Sequence, residues 1–234
     1  MQNDLQHIDT FGTAMRPAVV VFDVVETVFA LDPLRDALEL HGLRDTTCDL
    51  FFTRLLRDAF ALAASGEYRP FAEVAQASLA VVAPALSPHE RRDVLGAFGR
   101  LPVHPDAVEA FERLRAEQVG TVLLTNGSAS TTSKLVSSNG LDHLIDDIVS
   151  VDEVRSWKPA PAPYRHVVQR LAVQPGRVAL VAVHAWDVHG AKSAGLVTGW
   201  AARLERSFAP VYAEPDVTGD DLIEVIDRLL TLPG

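Results

Sequence analysis

Asp23 follows directly on the apolar run Val19-Val20-Val21-Phe22, so a carboxylate stands at the end of a segment that reads as a buried strand. Such a carboxylate is either a nucleophile that forms a covalent intermediate or a cap on the turn that follows it. Glu26 and Thr27 lie three and four residues further on, and His184 ends a second apolar run, where an imidazole is suited to general-base work near neutral pH. Leu124-Thr125-Asn126-Gly127-Ser128 precedes a helical pattern, so its backbone N–H groups point at an anion with Asn126 adding a side-chain donor, or the segment is a helix start capped by Ser128 or Ser130. Arg54 and Arg57 stand one helical turn apart and offer cations on one face.

The elements that must bring these groups together are legible as alternation. Short β-rich apolar runs at residues 19–22, 121–125, 148–151, 178–183 and 197–200 alternate with helical patterns, the signature of a parallel sheet covered on both faces. Between the first two runs lies a long stretch with helical periodicity only, at residues 34–40, 46–64, 71–82 and 88–99, punctuated by Ser65-Gly66 and Pro84. The expected class is therefore α/β: a Rossmann-like parallel sheet core with helices on both faces, formed by residues 16–32 and 103–234, and an inserted helical cap at 33–102. Residues 1–15 are expected to be a loose, flexible tail. In an open α/β sheet the ligand sits beyond the carboxyl ends of the strands, where residues spread from Asp23 to Asp187 converge.

Composition bounds the partners. The chain has 234 residues, 48% of them hydrophobic, enough for a sizeable core. A formal net charge of −10 argues against a general nucleic-acid binder, which needs a basic face to displace counterions. No apolar run approaches the roughly 20 residues of a membrane-spanning helix, and the first fifteen residues lack a secretory pattern, so a cytoplasmic protein with no membrane partner is expected. The single cysteine, Cys48, fits a reducing compartment.

Four segments then carry a resemblance. Phe22-Asp23-Val24-Val25-Glu26-Thr27-Val28-Phe29 resembles the first motif of the haloacid dehalogenase superfamily, an aspartate followed four residues later by a threonine. Leu124-Thr125-Asn126-Gly127-Ser128, the stretch Val151-Asp152-Glu153-Val154 leading to Lys158-Pro159, and His184-Ala185-Trp186-Asp187 match the later motifs in order. The last two are similar to the type II L-2-haloacid dehalogenases, and the likeness covers nearly all of the chain after about Arg16.

The resemblance implies that Asp23 displaces halide from the α-carbon of a short L-2-haloacid, that an aspartyl ester forms, and that its hydrolysis gives the D-2-hydroxy acid. Lys158 pairs with Asp23, Thr27 and Thr125 offer hydroxyls, Asn126 and the turn after it receive the substrate carboxylate, and Arg54 is the cap arginine. Apart from the resemblance, the aromatic groups Phe29, Phe51, Tyr68, Trp157 and Trp186 either wall the site or are ordinary packing, while Tyr164 stands six residues past Lys158 as in the family pattern. Phosphate-handling relatives carry an acid where this chain has Val25; a halide leaves without a proton, so its loss suits dehalogenation. The better-known dehalogenases have Gly, Ser and Asn in place of Glu26, Ala182 and His184, whereas a subset has the Glu/His pair, in which Glu26 orients His184 to activate water. With Val25 lacking an oxygen, Asp187 is expected to anchor Lys158 rather than hold Mg²⁺, so no metal and no cofactor are expected. A homodimer is expected from the branch. The competing readings are a Mg²⁺-dependent small-molecule phosphatase of the same superfamily and a catalytically idle binding protein.

Overall fold

The computed structural model describes residues 14–234, so the expected tail lies almost wholly outside the described residues. Its centre is β1 (Val19–Phe22), whose alternating side chains feed two cores: Val20 and Phe22 pack with one apolar cluster and Val21 with the other. A strand buried on both faces must be apolar throughout, which is why Val-Val-Val-Phe reads as it does.

Around it stand β2 (Gly120–Thr125), β3 (Asp147–Ser150), β4 (Val178–Ala182), β5 (Val197–Ala201) and β6 (Val217–Gly219). They form one parallel sheet in the order β3-β2-β1-β4-β5-β6, with Phe22 in register with Leu123 on one side and Val181 on the other. The order reverses direction between β1 and β4, and the crevice of a doubly wound sheet opens at that point. Asp23 and His184 stand at its two sides.

The first four helices between β1 and β2 follow from the periodicity. α1 (Asp32–Leu40), α2 (Thr46–Ala64), α3 (Phe71–Val82) and α4 (Pro88–Leu95) lie close to the expected helices, and α5 (Pro105–Ala116) leads back into the sheet. α4 starts at a capping box, Ser87 accepting from the Glu90 N–H while the Glu90 carboxylate accepts from the Ser87 N–H. It stops at Leu95 rather than running to Gly99, because residues Gly96–Gly99 tighten into a 3₁₀ turn. The remaining helices are α6 (Ala129–Ser138), α7 (Pro161–Leu171), α8 (Ala185–Ser193) and α9 (Leu222–Leu230). α9 buries Leu222, Val225, Ile226 and Leu229, one stripe of an amphipathic helix, against α5, β5 and β6.

β6 falls outside the sequence-based expectation. It is three residues long and includes Thr218 on the exposed side; Asp216, just before it, holds it to β5 by accepting from the Thr198 N–H (2.8 Å) and hydroxyl (2.9 Å). Among the described residues no helix is long and apolar enough to cross a membrane.

Candidate active site

The carboxyl ends of β1, β2 and β4 place the chemistry. Asp23 leaves β1 with its N–H on the Val181 carbonyl (3.1 Å), and the residue is 5% exposed. Oδ1 accepts from Lys158 Nζ at 2.7 Å, while Oδ2 accepts from the Thr27 hydroxyl at 2.8 Å and lies 3.0 Å from His184 Nδ1. Thr27 Oγ1 in turn accepts from the Val183 N–H (3.1 Å), tying the β1 turn to the end of β4.

Lys158 is fully buried, and its three donors are all used: Asp23, the Leu124 carbonyl (3.0 Å) and Asp187 Oδ2 (2.7 Å). Tyr164 completes the chain by donating to Asp187 Oδ1 at 2.5 Å. α8 approaches closely enough to do this because position 190 is glycine; a Cβ there would fall 2.6 Å from the Tyr164 hydroxyl and 2.7 Å from Pro159 Cβ. Losing the ammonium would leave two buried carboxylates without their cation, a type of loss that costs about 3–5 kcal/mol.

The same geometry tests the metal expected of phosphate-handling relatives. The Lys158 ammonium lies between the two carboxylates that would have to share a divalent cation, the second oxygen of Asp187 is taken by Tyr164, and Val25 supplies no oxygen. This donor set does not fit a hard cation, which needs six or more oxygen ligands.

His184 is 5% exposed and is held at both ring nitrogens, Nδ1 by Asp23 and Nε2 by Glu26 Oε2 at 3.0 Å. Burial alone would lower its pKa; the hydrogen bonds and charges of the two carboxylates outweigh this and raise it to about 10. Burial likewise works to raise Asp23, and is overcome by Lys158 and His184, which hold the carboxyl well below the usual range. The resting site is thus an ionised Asp23 flanked by an ammonium and an imidazolium.

This placement predicts a pH effect on stability. The His184 pKa rises from 6.5 to about 10 on folding, so its contribution is full below about pH 6.5 and disappears as pH climbs through 10. The melting temperature should fall between pH 7 and pH 10, and the His184→Gln protein should follow a flatter curve. Equal slopes for the two proteins would contradict an imidazolium between carboxylates.

Glu26 has φ 66°, in the left-handed region, at a roughly 1–3 kcal/mol cost for a residue with a Cβ. Here the turn is kept by backbone bonds, the Glu26 N–H donating to the Phe29 carbonyl (2.8 Å) and the Val28 N–H to the Val24 carbonyl (2.9 Å).

Two cavities open beside the neighbours of Asp23, one at Glu26 and His184 and one at Val24 and Val25. One, of about 490 Å³, is lined by Glu26, Phe52, Leu56, Phe60, His184 and Trp186, with Arg57 and Glu205 also on its wall. Trp186 stacks on His184 (5.3 Å between centroids) and meets Phe60 edge-on at 5.0 Å, while the Lys158 ammonium lies 5.9 Å from its centre. The other, of about 350 Å³, is lined by Val24, Val25 and Phe71 on one side and Thr125, Gly127 and Ser128 on the other. The groups around the dyad and the turn after β2 therefore open into separate spaces.

Several expected residues sit elsewhere than the sequence implied. Arg54 lines neither cavity, its Nε 3.5 Å from Asp58; Arg57 lines the cavity beside His184, with its guanidinium donating to the same Asp58 carboxylate at 2.6 Å. Phe29 is fully buried in the apolar core and paired with Val103 across an isolated bridge, away from both cavities. Asn126 uses Oδ1 to accept from the Lys158 N–H (3.1 Å), and Thr125 Oγ1 accepts from the Gly127 N–H (2.9 Å), so both brace the turn. Tyr164 reaches the site through Asp187.

Other contributors carried no signal in the sequence. Phe52 lies 6.5 Å from the His184 ring centroid to centroid, Glu205 accepts from the Ala185 N–H at 3.0 Å, and Arg203 reaches the carbonyls of Glu26 and Thr27. The first is one aromatic among many on a helix, and the other two lie in the irregular stretch after β5.

A doubly wound sheet whose first strand ends in an aspartate bound to a buried lysine defines a class, and comparison with known proteins gives the same class. Over residues 17–195 the chain matches the haloacid dehalogenase-like hydrolases, and it belongs to that family. It is 31% identical over 193 residues to the (S)-2-haloacid dehalogenase of Xanthobacter autotrophicus, covering 80% of this chain and 76% of the relative. To (S)-2-haloacid dehalogenase 1 of Pseudomonas sp. (strain CBS-3) it is 29% identical over 200 residues, 81% of this chain and 88% of the relative. The solved L-2-haloacid dehalogenase of Xanthobacter autotrophicus superposes with a TM-score of 0.83 at 25% identity, over 92% of this chain and 99% of that one. A structure of that enzyme with chloropropionic acid covalently bound has the same fold, with a TM-score of 0.83 at 24% identity over 92% of this chain and 99% of that one.

Proposed function

We propose that the protein hydrolyses short (S)-2-haloacids to 2-hydroxy acids of inverted configuration through an ester on Asp23, without a metal. The observation that carries this reading is the ionised Asp23 held by Lys158, Thr27 and His184, with an ammonium where a phosphatase needs its cation. The two curated relatives described above are (S)-2-haloacid dehalogenases, and a solved L-2-haloacid dehalogenase of Xanthobacter autotrophicus holds chloropropionic acid covalently.

Of the two nucleophile oxygens Oδ2 is met by two partners and Oδ1 by one, so Oδ1 keeps the freer lone pair for attack on the α-carbon. The carbon–halogen electron pair leaves with the halide, and no proton is needed. Attack from behind inverts the carbon. The aromatic wall of Phe52, Phe60 and Trp186 excludes water during this step, and Arg57 takes the role expected of Arg54 toward the anionic substrate. The turn at Gly127-Ser128 opens into the other cavity and does not share this carboxylate.

Ester formation then changes His184. Alkylated Asp23 is neutral, so one of the two carboxylates holding the imidazolium is gone and its proton passes to solvent. Glu26 keeps Nε2–H, leaving Nδ1 free beside the ester. Nδ1 takes a proton from the water that adds to the carbonyl carbon, returns it to the departing alkoxide, and receives the proton of the regenerated carboxyl. The balance is one halide and one proton released per turnover. The base is thus switched on by the intermediate it must hydrolyse.

Helical residues 33–102 form the cap over this site, and residues 16–32 with 103–234 the core. The reading extends to a cytoplasmic homodimer, supported by the family resemblance and by the single buried cysteine. The direct test is product analysis. (S)-2-chloropropionate should yield chloride and (R)-lactate in equal amounts, at a rate unchanged by a chelator; retained configuration or abolition by chelator would refute the proposal.

A further inference from the structure

We propose that Arg203 is a positioning residue for ester hydrolysis: its guanidinium holds the Glu26–Thr27 backbone in the turn that aims the Glu26 carboxylate at His184. The inference rests on the reading of Glu26 and His184 given above and adds to it the element that keeps them aligned.

Glu26 adopts a left-handed conformation with φ 66°, which side chains with a Cβ avoid. Arg203 Nη2 donates to the Glu26 carbonyl at 2.9 Å and to the Thr27 carbonyl at 2.7 Å, gripping the two peptides on the carboxyl side of that strained residue. Nη1 pairs with Asp106, which also accepts from the Leu222 N–H (3.1 Å). Asp106 lies in the first turn of α5, and Leu222 begins α9. The clamp is therefore anchored in two helices of the core and does not depend on the cap.

The consequence is directional. Lys158 holds Asp23 independently of Arg203, and the Thr27 hydroxyl stays tied to the end of β4 by the Val183 N–H, so the displacement step keeps its main support. Hydrolysis needs Glu26 within 3.0 Å of His184 Nε2, and that distance is set by the turn. Arg203 touches no reacting atom; it acts through Glu26. A misplacement of about 1 Å in such a group is able to cost up to about 10²-fold in rate.

The test follows both steps in Arg203→Met and Arg203→Lys with (S)-2-chloropropionate under pre-steady-state conditions. In the Met variant the first equivalent of chloride should leave within about threefold of the wild-type rate, whereas steady-state kcat falls roughly 10- to 100-fold and the ester mass accumulates on Asp23. The Lys variant should recover part of kcat. A double-mutant cycle separates positioning from general loosening: in a Glu26→Gln background, Arg203→Met should cost less than about threefold more. Multiplicative losses, or full steady-state turnover of Arg203→Met, would overturn the proposal. So would equal slowing of the first equivalent and of steady state. If Arg203→Met does not fold, the Lys variant carries the same comparison. Failure of wild type to release chloride would instead refute the dehalogenase reading itself.

Discussion

The Asp23→Asn protein should release halide from a 2-haloacid at least about 10⁵-fold more slowly than wild type, the scale of loss when a covalent nucleophile is removed. The Asp23 carboxylate carries the charge that attacks, and Lys158 and His184 both serve to keep it ionised. An amide has neither the charge nor the nucleophilic lone pair, and its NH₂ would face either the Lys158 ammonium or the Thr27 hydroxyl and His184. The substitution should also lower the His184 pKa, because one of its two carboxylates is lost. Halide release is read on freshly prepared protein whose mass excludes deamidation to aspartate. Release at the wild-type rate from protein verified in this way as Asp23→Asn would remove Asp23 from the reaction.

The His184→Ala protein should separate the two halves of the cycle. Displacement requires Asp23, Lys158 and Thr27, all still present, so one equivalent of halide should appear for each active site. Hydrolysis then lacks its base, and steady-state turnover should fall about 10²–10⁴-fold. Mass spectrometry of the stalled enzyme should find the acid moiety attached to the peptide carrying Asp23. Steady-state turnover at the wild-type rate would show that water reaches the ester without the imidazole. The loss of an imidazolium also leaves Asp23 less stabilised, so a modest slowing of the first equivalent is part of the expectation.

The parts of this account visible in the sequence are those encoded locally. β1 is apolar at every position because both its faces are buried, and α2 and α3 announce themselves by periodicity, so sheet and helical insertion are legible. Asp23, Thr27, Lys158 and Asp187 were legible because their motifs recur in order. What was hidden depends on packing. Arg54 and Arg57 are one turn apart, and which of them meets the cavity is decided by the rotation of α2 that buries Phe51, Leu55 and Ala59. Phe29 resembles a site wall by position in the motif, yet the tight turn after Asp23 folds it into the core. Arg203 stands far from Glu26 in sequence and is joined to it only because β5 ends near the crevice. The three residues of β6 were too few to register as a strand. The left-handed conformation of Glu26 is set by the turn around it and is not announced by its residue type.

Oxygen tracing tests the central claim, alkylation of a protein carboxylate, most directly. With enzyme in excess over (S)-2-chloropropionate in H₂¹⁸O, a single turnover should leave the label in Asp23 and yield unlabelled lactate, because the product oxygen comes from the aspartate and water attacks only the ester carbonyl. Label in the lactate of that first turnover, with none in Asp23, would mean that water displaces the halide itself and would contradict the account.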